Sequence, residues 1–444
     1  MNAIRENWLG RLQSQKHFRL GLLFSARMSG PVLSLAFSLI ATRSLSIESH
    51  GIYGRSFSAI IILQAILEAG LTNSVVRFLA PAIQSADRQS VRAIVRASIQ
   101  LKLYTVALLG LPLLAYTLAA TLAQRYMPAT SFGFLILSAD ALSIIWLIFL
   151  GGLGMSVFTW LDSVLVAHED FGRIFFWVPT VGIIRLVLLA GLFHGTVVSH
   201  EHVLYAFMAG PWIAILLFFM IFPARFFLQR AGRATWRPWV AKLLQYNIWI
   251  LFAAFMAICS DWMEMLIINH SEQAAIYNAA RLPMQAFMIV LTTMSSFLMT
   301  RFSRLKQQQE FQELFRRIFR FLLPGAIMFV PGLVLIPWFI LAFYGDEYRA
   351  SLSVFYILYP GFVLRIYAAP FGIALFALDQ PRLIAMESAV RMIGGLILVA
   401  CGYYWFGITG AAWGSLLAQF PGWLFLGICY WRYFQGHGFP FQPA

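Results

Sequence analysis

The chain is predicted to be an all-α polytopic membrane protein of about 12 transmembrane helices, in two parallel-repeat six-helix lobes. Three observations support this. Hydrophobic residues make up 60% of the 444 residues and charged ones 11%, where a soluble domain carries about a quarter charged residues. At roughly 20 apolar residues per crossing, the chain has room for a dozen helices and no sizeable soluble domain. Finally, Glu48, Ile52, Tyr53, Arg77, Phe78, Arg92 and Arg96 recur at one constant offset as Glu272, Ile276, Tyr277, Arg301, Phe302, Arg316 and Arg320, which marks two related halves.

Residues 1–19 carry Arg5, Arg11, Lys16 and Arg19 ahead of an apolar run, with no small-residue cleavage motif, and are expected to be an amphipathic cytoplasmic segment. The N-lobe is assigned to 20–227, with crossings centred about residues 31, 66, 110, 152, 184 and 215. In the second crossing, Tyr53 to Arg77 covers roughly 36 Å at about 1.5 Å per helical residue. That is one span, with tyrosine at one headgroup belt and arginine at the other. A basic linker, 228–242, leads to the C-lobe, 243–433, with crossings centred about residues 256, 288, 331, 364, 394 and 420. A tail, 434–444, follows. Leu103–Gln124, Val203–Ala224, Leu243–Ser260, Leu282–Thr300 and Phe321–Gly345 are uncharged runs. Met392 to Trp431 is also uncharged and too long for one crossing, and Gly407 with Gly410 offers a turn, so a two-helix hairpin is expected.

Alternate loops separate the charge. One side collects the N-terminal group, Arg77, Arg88, Arg92, Arg96, Lys102, Arg173, Arg225, the linker, Arg301, Arg304, Lys306, Arg316, Arg317, Arg320, Arg382 and Arg432; the other holds Arg43, Arg55, Arg125, Arg281 and Arg349. Both termini are therefore expected in the cytoplasm. Six crossings per half make the repeats parallel, about an axis along the membrane normal. The net charge of +14 is accounted for by these loops. No nucleic-acid partner is expected, because the aromatics sit in apolar runs and do not interleave with a basic patch. Cys259, Cys401 and Cys429 lie in apolar stretches without ligand spacing, and His200 and His202 flank Glu201 in a solvated turn, so no metal site is expected.

Ala41-Thr-Arg-Ser-Leu-Ser-Ile-Glu-Ser-His-Gly-Ile-Tyr-Gly54, then Leu67-Glu-Ala-Gly-Leu71 and Val76-Arg-Phe-Leu-Ala80, resembles the first loop and second helix of the Wzx-type polysaccharide flippases. These belong to the multidrug/oligosaccharidyl-lipid/polysaccharide (MOP) exporter superfamily. Asp261 before Ala275-Ile-Tyr-Asn-Ala-Ala280, Tyr344-Gly-Asp-Glu-Tyr348 and Gly407-Ile-Thr-Gly-Ala-Ala412 continue the resemblance in order. It implies two six-helix lobes around a central cavity that opens alternately to each side. The implied substrate is an oligosaccharide repeat unit on polyprenyl (undecaprenyl) diphosphate, moved across a bacterial inner membrane for surface or exopolysaccharide, O-antigen or lipopolysaccharide biosynthesis. A gradient of protons or another ion would drive it, with no cofactor. Implied partners are the lipid-linked glycan, membrane lipids, and the polysaccharide polymerase and chain-length machinery. The same superfamily contains cation-coupled multidrug exporters, the alternative reading, although four in-membrane arginines oppose an organic-cation cavity. A glycan polymerase or ligase would need an extended outer loop, and an ATP-driven transporter a Gly-x4-Gly-Lys-Ser/Thr loop. The sequence has neither, so a transporter and not an enzyme is expected.

Ionisable groups at bilayer depth cost several kcal/mol unless they meet a partner or water, which makes each a functional candidate. A diphosphate headgroup needs cations and donors in place of its water, and arginine binds phosphate oxygens bidentately. The candidate cavity cations are Arg27, Arg185, Arg365 and Arg391, with Arg281 nearer the outer end of its helix. The alternative is internal pairing; for Arg391, Glu387 lies four residues earlier, in the favourable order for an intrahelical pair. Arg365 has no acid within a turn. Asp261 and Glu264 share a helix face and either couple ion movement to transport or neutralise the arginines. Asp162, Asp140 and Glu68 are further coupling candidates; Glu68 aligns with Thr292 in the second copy. Arg92 with Arg96 and Arg316 with Arg320 form basic stripes that either lie solvated or gather anionic headgroups on the cytoplasmic side.

Overall fold

The computed structural model describes residues 16–68, 70–126, 139–192, 198–221, 233–285, 298, 313–314, 316–318, 320, 326–377 and 380–437. The fold is all-α, with no strand among the described residues. Its helices are α1 (Lys16–Ser44), α2 (Ile47–Glu68), α3 (Leu71–Gln84), α4 (Arg88–Tyr126), α5 (Ala139–Ala167), α6 (Phe171–Leu192) and α7 (His200–Ile221). They continue with α8 (Arg233–Ile267), α9 (Ser271–Gln285), α10 (Gly332–Tyr344), α11 (Ser351–Ala377), α12 (Pro381–Leu417) and α13 (Gln419–Arg432). Among the described residues, nine helical segments are long and apolar enough to cross a membrane. The last, Pro381–Gln435, is 55 residues and holds two crossings. Most of the expected eighth crossing, with Thr292, lies outside the described residues.

The expected hairpin is present. α12 turns at Gly407, whose φ of 62° is open to glycine at little cost. The two arms then approach so closely that a Cβ on Gly402 would strike the Gly410 carbonyl, one on Gly410 the Gly402 carbonyl, and one on Gly414 the Leu398 carbonyl. Here small residues substitute backbone contact for side-chain packing, as membrane helix interfaces often do.

The second crossing departs from expectation. It is not one rod from Tyr53 to Arg77: α2 stops at Glu68, and Gly70, in the left-handed region at φ 66°, redirects the chain into α3. The tyrosines are not headgroup anchors either. Tyr53 is 2% exposed and Tyr277 0%; both are core residues. Lys102, grouped with the loop cations, is buried within α4, because that helix runs unbroken for 39 residues from its basic start at Arg88. Residues 233–242 of the expected linker are likewise the first turns of α8.

The chain divides into two compact units, the first Met1–Phe37 with Ala59–Leu251, the second Ser38–Ser58 with Phe252–Ala444. The stretch 38–58, assigned to the first lobe by sequence, thus belongs to the second unit. In the first unit, α6 buries Ile174, Trp177, Val181, Arg185 and Leu189 along one face and exposes apolar Phe176, Ile183 and Val187 on the other, as lipid solvent allows. Trp177 stacks on Phe158 at 4.4 Å and meets Phe218 edge-on at 4.8 Å. In the second unit, the start of α2 lies against α9: Gly51 touches the Ser271 backbone and Gly54 the Asn278 side chain. Arg43 donates to the carbonyls of Ala342 and Phe343, and Arg55 to the Asn269 carbonyl and Ser271 Oγ. His50 is fully buried between Tyr348, at 2.9 Å, and Thr42 and Asn278, at 3.2 and 3.3 Å. Burial, then the adjacent Glu347 charge, pushes the Tyr348 hydroxyl up from its ordinary range, so it stays protonated in this contact.

Candidate functional site

Five helices of the second unit build one polar cluster at bilayer depth. α8 supplies Asp261 and Glu264, whose three-residue spacing sets them on one face, with Trp262 between them. α9 brings Tyr277 and Arg281, α11 brings Arg365, α12 brings Glu387, Arg391 and Ser415, and α13 begins at Gln419. Asp261, Trp262, Glu264, Arg281, Arg365 and Ser415 line a cavity of about 250 Å³.

The charges are organised differently from one another. Arg365 reaches across from α11 and grips Asp261 with both terminal nitrogens, at 2.5 and 2.7 Å. This bidentate geometry uses both carboxylate oxygens. Arg391 takes its intrahelical partner Glu387, Nε to Oε1 at 3.4 Å, and has Asp261 at 3.9 Å. Glu264 accepts from Tyr277 through one oxygen and Ser415 through the other, both at 2.5 Å. Arg281 is 8% exposed, and its guanidinium sits 4.2 Å over the Trp262 ring, a cation–π contact. Its Nη1 is buried without a hydrogen-bond partner among the described residues, and so is Gln419 Oε1. An unsatisfied buried donor costs its desolvation, so the cavity offers the Nη1 amino group of Arg281 to an anion.

Of the other candidates, Arg27, Asp162, Arg185 and Glu68 belong to the first unit. Arg27, with about half its side chain exposed, pairs with buried Asp162 at 2.7 Å, and Asp162 Oδ1 has no hydrogen-bond partner among the described residues. Arg185 is enclosed: Nε donates to the Phe207 carbonyl at 3.0 Å, and the guanidinium lies 3.5 Å from the Phe207 ring centre. Gly210 makes room for its stem, since a Cβ there would lie 2.6 Å from Arg185 Cγ. Lys102, a group the sequence reading placed elsewhere, donates to the Ser156 carbonyl and hydroxyl and feels the charge of Glu68. Nothing in the sequence sets it apart from the arginines that open α4. Asp140 opens α5, but its side chain lies outside the described residues. The stripes are not uniform: Arg92 is exposed, Arg96 lies 6.0 Å from the Trp236 ring centre, and Arg316 and Arg320 are exposed.

Solved structures of MATE transporters of the MOP superfamily match nearly the whole chain in fold. An inward-facing multidrug resistance MATE family transporter aligns with a TM-score of 0.65 and 11% identity, over 93% of this chain and 98% of its own. A MATE in complex with MaL6 gives 0.62 and 13%, over 96% and 98%. A MOP superfamily transporter from Pyrococcus furiosus Vc1 (DSM3638), described as having a binding pocket of reverse polarity that suggests a different function, gives 0.61 and 14%, over 95% and 97%. At such identity the likeness establishes the fold. No protein-family model matches the chain, and no curated protein does.

Proposed function

We propose that the chain is a secondary transporter that flips polyprenyl diphosphate-linked oligosaccharides across the bacterial inner membrane by alternating access, both termini in the cytoplasm. The observation that carries this reading is the unsatisfied Arg281 N–H in the second-unit cavity. A cavity of about 250 Å³ takes a phosphate group. Asp261 is engaged by Arg365, so Arg281, with Nη1 unsatisfied on the cavity wall, is the cation that meets substrate, while Glu264, hydrogen-bonded by two hydroxyls, is the candidate coupling group. Two observations favour a second reading, export of organic cations: Glu264 and Trp262 face the same cavity, and multidrug transporters share the fold.

Proteoliposomes holding a fluorescent saccharide on undecaprenyl diphosphate separate the two. Flipping is expected in the wild type and about 10–100-fold slower in Arg281→Gln, the loss of a hydrogen bond to a charged partner, with Arg281→Lys retaining part. Efflux of a cationic dye without movement of the saccharide lipid would reject the flippase reading.

A further inference from the structure

Away from that cavity, the α3–α4 turn and the α5–α6 turn of the first unit enclose a pocket of about 450 Å³. Ala82, Ile83 and Val91 make its apolar wall, and Arg88, Arg92 and His168 its polar rim. Arg88 and Arg92 are four residues apart on one face of α4, an arrangement that like charges disfavour, and neither has an ion-pair partner among the described residues. Asp87 and Asp170 are engaged elsewhere. Asp87 Oδ1 accepts the backbone N–H groups of Gln89 and Ser90 at 3.1 Å, capping α4. Asp170 pairs with Arg173 at 3.0 Å and accepts its backbone N–H. Arg96, one turn further along, lies against Trp236. Burial holds the His168 ring below its ordinary value, Asp170 and Arg173 acting in opposite senses upon it. A neutral imidazole can then donate or accept.

We propose that this pocket binds the phosphate ester of an anionic lipid headgroup, separately from the cavity of the second unit. Two guanidiniums on one rim match phosphate oxygens, and the apolar wall suits the glycerol and first methylenes behind the ester. A bare phosphate ion would leave that wall without contact, so a membrane-borne ester fits the whole pocket. Both turns lie on the side of the basic loops, where anionic lipids attract cations.

The test uses the full chain in phosphatidylcholine nanodiscs with graded phosphatidylglycerol, counting retained lipid by native mass spectrometry. Phosphatidylglycerol should be retained in preference to phosphatidylcholine. The Arg88→Gln, Arg92→Gln double variant should weaken retention about twentyfold, and Arg382→Gln, Arg432→Gln, which removes equal charge elsewhere, should not. Arg88→Glu, a single change at an exposed position, provides a second variant if the double one melts early. Displacement of the lipid by millimolar inorganic phosphate would show that the pocket takes the free anion and overturn the lipid assignment; no displacement supports the lipid. Equal retention of the two lipids by the wild type, or equal loss in the Arg382/Arg432 variant, overturns the proposal.

Discussion

Arg365 and Asp261 show how a membrane interior disposes of charge. They form a two-point contact between α8 and α11, with Arg391 at 3.9 Å from Asp261 as a weaker second cation. Removing one partner leaves the other without its bidentate contact, which costs more than the pair contributes. Arg365→Ala should therefore destabilise by about 3 kcal/mol, and Asp261→Ala by a similar amount. The double variant should recover most of either loss in thermal melts, whereas additive losses would refute the coupling. This pair was only half legible in the sequence. Both residues stood out as charges in apolar runs, but they are 104 positions apart, and no local spacing reveals a partner on another helix. Arg391 with Glu387 was legible, because four residues on a helix put them side by side. Lys102 was not, because a lysine less than two turns past a basic stripe looks like part of it; its three-dimensional neighbour Ser156 is what distinguishes it.

At the scale of elements, glycines determine where helices bend and how closely they lie. The charge-free hairpin was readable, since a run too long for one crossing with two glycines near its middle has few other solutions. The break at Gly70 was not, because a glycine within an apolar helical pattern looks the same whether the helix continues or turns. The close approach of Gly402 to Gly410 permits a sharp comparison. Gly402→Ala places a methyl against a carbonyl and should cost about 2 kcal/mol. Gly372→Ala on α11, where a Cβ meets nothing within 4 Å, should be neutral or slightly stabilising by helix propensity. Equal melting temperatures for the two variants would show that the hairpin arms are not in backbone contact.

For the whole molecule, the sequence gives two related halves, yet the compact units do not follow the repeat. Ser38–Ser58 belongs with Phe252–Ala444, tied there by Arg43, His50 and Arg55, so each half-chain lacks or carries something foreign. A fragment 231–444 made alone should be degraded, because it lacks the segment that buries His50 and Tyr53 in its core. Co-expression with 1–230 should rescue it, and pull-down of one fragment through the other reads the result; a stable, folded 231–444 alone would contradict this account. The Asp261–Arg365 contact has one further consequence, in time. A ribosome adding about 5–20 residues each second needs roughly 5–20 s to advance from Asp261 to Arg365. For that interval α8 sits in the bilayer with a carboxylate awaiting its partner, a state costing roughly 2.5–3.5 kcal/mol. Glu387, by contrast, is followed within a second by Arg391. Insertion of the second unit is therefore most vulnerable between α8 and α11, the window in which a membrane insertase or chaperone would have the most to hold.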